Sequence, residues 1–183
     1  ASSSITNSGQ IRDDSSQNFT MDFSGNNTTF TNNAGGSVTG GEVRISAGTT
    51  GITITNSGTM SSAATTSTLE SRATGTATIT NNAGGVISNS STGNAVQLGV
   101  SSTLTNSGTI QNTASTSNNA INLAGNNNTV ILKDQGKVIG LITADAGTTG
   151  NKLKFDHGFG RSYFYATSGD FDLEDLSGNT VVK

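Results

Sequence analysis

Apolar side chains recur along this chain at a spacing too long for a helix and too regular for a set of unrelated strands. Ile5, Phe30, Ile54, Ile79 and Leu104 follow one another at steps of 25, 24, 25 and 25 residues. Each opens a copy of one phrase, clearest as Ile54-Thr55-Asn56-Ser57-Gly58-Thr59-Met60. It returns from Ile5 and from Leu104, and in a form two residues longer from Phe30 and from Ile79. A fixed period of this length is the mark of a solenoid, in which each repeat buries its apolar face only against its neighbours. Within each copy the lead residue is flanked by polar ones, as in Thr53-Ile54-Thr55 and Thr78-Ile79-Thr80. This period of two predicts a strand with one side chain turned inward. A second apolar pair precedes each copy: Met21-Asp22-Phe23, Val43-Arg44-Ile45, Val96-Gln97-Leu98 and Ile121-Asn122-Leu123, with a weaker version in Leu69-Glu70-Ser71-Arg72-Ala73. The pattern therefore predicts an all-β parallel helix with coils of about 25 residues, closed around a narrow apolar interior. Strands of successive coils should pair in parallel about 4.8 Å apart.

Two polar rows follow from that stacking. Thr29/Thr31, Thr53/Thr55, Thr78/Thr80 and Thr103/Thr105 should line one outer face, where β-branched residues are favoured. Asn7, Asn32, Asn56, Asn81 and Asn106 should form a ladder of side-chain amides bonded from coil to coil, a scaffold role more than a binding one. Because Asn and Gly tolerate left-handed backbone, the bend of each coil is expected at these residues.

The rhythm changes after Leu123. Asn126-Asn127-Asn128 widens a loop, and the segment from Val130 to Gly140 replaces the Thr-Asn phrase with a more apolar and more charged one. Asp134 is expected where the Asn ladder would continue, ending it there. From Asp134 onward lie seven of the twelve acidic residues and six of the nine aromatic ones. The chain thus divides into coils over 1–129 and a C-terminal segment over 130–183, within one continuous domain. The second part is expected to be an atypical cap over the open end of the stack, rich enough in large apolar side chains to be its most stable unit.

Composition alone would suggest disorder, since only 31% of the 183 residues are hydrophobic and 11% charged. The periodic placement of the apolar residues argues the other way. Net charge is −3, and no charged residue lies between Ala73 and Leu132. Nucleic acid and anionic membranes, which demand a basic patch, are accordingly poor partners. No apolar run approaches the roughly 20 residues of a membrane-spanning helix. The chain starts at Ala1-Ser2-Ser3-Ser4 without Met and contains no Cys and no Pro. It reads as an excised piece of a longer exported protein, suited to crossing a membrane unfolded.

The repeated phrase, together with Asn128-Thr129-Val130-Ile131-Leu132, Gly136-Lys137-Val138-Ile139-Gly140 and Asn151-Lys152-Leu153-Lys154-Phe155, resembles the passenger domains of Gram-negative autotransporters, in particular the AIDA-type adhesins. The resemblance implies a right-handed parallel β-helix displayed on the bacterial cell surface. It also implies export through an outer-membrane β-barrel absent from this sequence, and an autochaperone-like region from Val130 onward.

Candidate chemistry is sparse. Asp13, Asp14, Asp22, Glu42 and Glu70 are scattered with Arg12, Arg44 and Arg72 over three coils, and the neighbours Asp13 and Asp14 read as a solvated loop pair. His157 is the single histidine, in a context without a nucleophile elbow, and reads as a cap residue. Asp170, Asp172 and Glu174 alternate with Phe171 and Leu173, so calcium ligation is conceivable, but a half-buried strand with a solvated acidic face fits better. No cofactor, metal or catalytic residue is expected. The favoured reading is a non-catalytic adhesin or rigid spacer that associates with its own copies or with host or matrix glycans. The contacts would come from Thr55, Thr80 and Thr105, or from the adjacent Ser57, Asn82 and Ser107. An ice-binding lattice of Thr-x-Thr rows is the alternative, and a polysaccharide lyase or hydrolase the third.

Overall fold

The computed structural model describes residues 2–14, 19–72, 74 and 76–181, and in it the chain winds into a parallel β-solenoid. Each coil contributes three strands. The first holds β1 (Ser3–Asn7), β2 (Gln10–Arg12) and β3 (Phe19–Phe23); the second β4 (Thr28–Asn32), β5 (Ser37–Gly40) and β6 (Glu42–Ile45). The third holds β7 (Ile52–Asn56), β8 (Thr59–Ser62) and β9 (Leu69–Ser71); the fourth β10 (Ala77–Asn81), β11 (Val86–Asn89) and β12 (Val96–Leu98). The fifth holds β13 (Thr103–Asn106), β14 (Thr109–Asn112) and β15 (Asn119–Leu123); the sixth β16 (Thr129–Lys133), β17 (Lys137–Ile139) and β18 (Leu141–Ala144). Then come β19 (Lys152–Asp156), β20 (Thr167–Ser168) and β21 (Asp172–Asp175).

Three parallel sheets run along the stack. The first is β1-β4-β7-β10-β13-β16-β19-β21, the second β2-β5-β8-β11-β14-β17 and the third β3-β6-β9-β12-β15-β18-β20. In the first sheet Ile5, Phe30, Ile54, Ile79, Leu104, Val130, Leu153 and Leu173 stand in one register. From Phe30 to Leu153 this row is buried, faced by Val38, Met60, Ile87 and Ile110 of the second sheet and by Val43, Leu69, Val96 and Ile121 of the third. Each such side chain contributes about 1.5–3 kcal/mol relative to exposure. Ile5 is the exception to the expected buried row. It keeps the register but is 42% exposed, because β1 pairs on one side only.

The amide ladder is present. Asn7, Asn32, Asn56 and Asn81 each donate Nδ2–H to the Oδ1 of the next Asn at 2.8 Å, ending on Asn106. The second amide hydrogen goes to a backbone carbonyl, as from Asn56 to Val86 and from Asn81 to Thr109, both at 3.2 Å. Buried polar groups with every donor used in this way stabilise the stack and fix its register.

Two expectations at this corner are corrected. None of the ladder Asn adopts left-handed backbone; in the longer phrases that role falls to Gly35 and Gly84, at φ 82° and 83°. Where a coil precedes it, the Gly of Asn-Ser-Gly is needed for closeness instead: a Cβ on Gly58 would lie 2.2 Å from the Gly36 carbonyl oxygen, and one on Gly108 would lie 2.3 Å from that of Gly85, whereas Gly9 in the first coil meets nothing. Nor does Asp134 take the next rung. Leu132 is in register with Asn106, so the ladder stops for want of an amide, and Asn106 turns its own Nδ2–H to the Lys137 carbonyl at 3.1 Å.

The C-terminal segment continues two sheets, through β19 and β21 and through β20, while the second sheet ends at β17. Its packing is looser than the aromatic content predicts. Phe155 and Phe171 are buried and Tyr163 and Tyr165 partly so, but Phe159 is 84% and Phe164 94% exposed.

Candidate functional site

The outer face of the first sheet carries the two predicted Thr rows. Thr29, Thr53, Thr78 and Thr103 are in register, as are Thr31, Thr55, Thr80 and Thr105. Alternation places them outward while the residues between them are buried. Beyond the fifth coil the same rows change character. They continue as Thr129-Lys152-Asp172 and Ile131-Lys154-Glu174, with Lys154 paired to Glu174 at 2.7 Å.

Ser57, Asn82 and Ser107 lie one residue past the amide ladder and so form a second row, along the corner between the first two sheets. They partly satisfy one another. Asn82 donates to Ser57 Oγ at 2.9 Å, Asn33 donates to Ser8 Oγ at 2.8 Å, and Ser107 Oγ donates to Asp134 at 3.2 Å.

The charged residues that look scattered in sequence are gathered on the third sheet. Asp22, Arg44, Glu70 and Gln97 occupy successive rungs of one row; Asp22, Arg44 and Gln97 are each the middle residue of an apolar-x-apolar triplet, and Glu70 holds the same place between Leu69 and Ser71. That position within the triplet is the signal by which sequence reasoning would have found them. Arg44 pairs with Asp22 at 2.6 Å and sits 3.7 Å from the ring centre of Phe19, while Arg72 and Gln97 both bond Glu70 at 2.7 Å. The Arg44 hydrogen bond holds the Asp22 carboxyl below its ordinary range, against the opposing effect of burial. Glu42, fully buried beside this row, finds no donor for either carboxylate oxygen. Burial first, and Glu70 second, push its pKa up to about 8, so at neutral pH it keeps its proton and donates it to Glu70. Burial opposes ionisation of Glu70 too, but is outweighed by the hydrogen bonds from Glu42 and Arg72, and its carboxyl is held low. A carboxylic acid beside a carboxylate is the raw material of acid–base catalysis, but Glu42 is enclosed and no substrate reaches it.

The remaining candidates meet at the cap. His157 Nδ1 lies 2.7 Å from the Asp134 carbonyl and Nε2 lies 3.0 Å from Tyr165 Oη, so both ring nitrogens are engaged and neither activates a serine. Phe155 stacks on Tyr163 and on Tyr165 at 4.7 and 5.7 Å between ring centres. Tyr163 donates to Asp175, whose carboxyl is held below its ordinary range by that bond and by Asn179, against burial. The Tyr163 hydroxyl is pushed upward by burial and by Asp175.

Asp170, Asp172 and Glu174 are exposed beside buried Phe171 and half-buried Leu173, the alternation expected of a strand with a solvated acidic face. Among the described residues no three acidic or histidine side chains form a metal cluster. Asp14 pairs with Arg12 on the surface. Ala73, the last residue of the weak triplet segment, lies outside the described residues.

No protein-family model matches the chain, and neither does any curated protein or solved structure.

Proposed function

We propose that this chain is a non-catalytic adhesive surface module, a rigid spacer whose outward polar rows associate with further copies of itself or with host or matrix glycans. In this reading it is an exported passenger fragment of the autotransporter kind, displayed on a bacterial cell surface. The observation that carries it is the register of Thr31, Thr55, Thr80 and Thr105, with the parallel row of Ser57, Asn82 and Ser107 beside it. A neutral hydrogen bond to such a group contributes only about 0.5–1.5 kcal/mol net, so one contact is weak. Identical groups repeated every coil add through multivalency once two arrays align. The enclosure of Glu42 argues against a hydrolase or lyase built on the acidic pair.

The test is display of the parent protein on cells, scored for clumping and for host-cell or glycan binding, with Thr55, Thr80 and Thr105 changed together to Lys. Reduced adhesion supports the Thr face. Adhesion unchanged in the triple variant moves the function off that face, and turnover of a glycan by the wild-type fragment overturns the non-catalytic reading.

One observation favours a second reading. Four successive Thr-x-Thr pairs in register form a regular lattice of hydroxyls and methyls, which suits ice binding. Thermal hysteresis in a solution of the fragment would establish it, and its absence would remove it.

A further inference from the structure

The corner row leads into a groove at the cap. One cavity of about 360 Å³ lies between the turn at Asp134 and the cap loop, lined by His157, Arg161, Ser162, Tyr163 and Tyr165 among others. A second, of about 390 Å³, shares Arg161, Tyr163 and Tyr165 and adds Phe155 and Phe164. A third, of about 490 Å³, shares Asp134 and Gln135 with the first and continues past Lys137 and Ser107 to Ala83. Each falls within the roughly 300–1,000 Å³ typical of ligand sites. The first cavity thus borders the other two, with the aromatic cap on one side and the polar corner on the other.

The chemistry across these cavities is graded. At the cap end stand aromatic side chains with Arg161, which is exposed and has no ion pair among the described residues, whereas Lys133 and Lys154 are matched with Asp156 and Glu174. Along the corner come hydroxyl and amide groups, Ser107 and then Asn82 and Ser57. Asp134 stands between, its carboxylate accepting from Ser107. An aromatic wall suits the C–H face of a sugar ring, through the negative charge of its π-face. An unpaired guanidinium suits a carboxylate, which it binds with two parallel hydrogen bonds. Neutral hydroxyls and amides suit the hydroxyls of following sugar units. A polyphosphate would meet Asp134 and too few cations.

We infer that the groove binds a carboxylated sugar, of the sialic or uronic acid class, with its ring against the Tyr163 and Phe164 side of the cap, its carboxylate on Arg161 and the rest of the glycan along Ser107 and Asn82. This rests on the adhesive reading and names the ligand class of one end of the module. Because Phe164 and Arg161 are exposed, both are replaceable without disturbing the stack.

The experiment is calorimetric or NMR titration of the isolated protein with sialyllactose and a glucuronate disaccharide, against neutral lactose. The acidic sugars should bind about tenfold tighter than lactose, and Arg161→Ala should erase that difference, as one charge-assisted pair is worth about a factor of ten or more. Phe164→Ala should weaken all three sugars together. Lys152→Ala, an exposed cation that lines neither aromatic cavity, should change nothing. Equal binding of acidic and neutral sugars, or no binding of either, overturns the proposal. Cell clumping that persists in Arg161→Ala and is lost in the Thr triple variant leaves the adhesive reading standing while the groove falls. Loss of both sugar binding and clumping in the wild type sinks both.

Discussion

The coils and the cap solve one problem, holding parallel strands in stack, with different chemistry. From β4 to β15 the interior is a continuous apolar column, aliphatic after Phe30, with the Asn ladder closed around one corner, and the first-sheet outer rows are Thr. From β19 onward the column thins, and the same rows become Lys and then Asp or Glu joined by an ion pair. Stacked aromatics and one histidine take over from the ladder. The contrast teaches how a repeating stack is brought to an end. Identical rungs can add indefinitely, whereas at the C-terminal end charged and aromatic groups close the series with a surface that departs from the repeat. From Ala73 to Leu132 the coils repeat one uncharged surface, whereas the C-terminal segment varies in both shape and charge.

The largest test of the contrast is removal of residues 130–183. The fifth coil would then expose Leu104, Ile110 and Ile121 on an unpaired edge, and the fragment 1–129 is expected to lose its cooperative melting transition by circular dichroism. A fragment that melts like the parent would show that the coils need no cap.

Next comes charge insertion at matched places. Ile79→Asp, in a fully buried row, should cost more than about 4 kcal/mol in denaturant unfolding, since the carboxylate has no partner there. Leu173→Asp, half-buried at the cap, should cost distinctly less. Equal costs would erase the distinction between column and cap.

Breaking a rung is intermediate. Asn81→Ala deprives Asn56 of its acceptor and Asn106 of its donor, and should cost about 2–4 kcal/mol in unfolding free energy. A cost below about 0.5 kcal/mol would mean that water replaces the ladder amide freely.

The acid pair gives a smaller effect that depends on pH. Glu42, raised to about 8 chiefly by burial, retains when folded a proton that the unfolded chain releases in the ordinary carboxylate range. Stability from this group is full below that range and is lost as pH rises through about 8. Glu70, held low, works the other way, losing its contribution as pH falls through its folded value. The melting temperature should therefore fall on going from mildly acidic to alkaline solution. Glu42→Gln, whose amide donates to Glu70 without ionising, should flatten that fall. An unchanged slope in the variant would place the titration elsewhere.

The smallest change is Thr80→Ser on the outer face, expected within about 0.5 kcal/mol of the parent by the same denaturant measurement. A larger loss would mean that the Thr methyls pack as part of the structure.

The sequence by itself determined the solenoid, its period and the registers of the repeated phrases as far as Asn106, though not the rung beyond, where Leu132 and not Asp134 follows. An inward residue every coil and an amide one corner away leave no other stacking that buries both, so the spacing from Phe30 to Leu104 and from Asn32 to Asn106 was enough. It also marked the cap, through the change in charge and aromatic content after Asp134. Tertiary structure alone decided the rest. Glu42 and Glu70 are 28 positions apart in the chain, and their proton sharing depends on how outward side chains pack between coils, which periodicity does not encode. The glycine of Asn-Ser-Gly was legible as a bend, but its reason is the carbonyl of the preceding coil only 2.2 Å from where a Cβ would stand at Gly58. The cap groove was invisible for the same cause. Repeats fix positions by addition, whereas Arg161, Tyr163 and His157 are brought together by a loop without a repeat, whose path is set by contacts rather than by spacing.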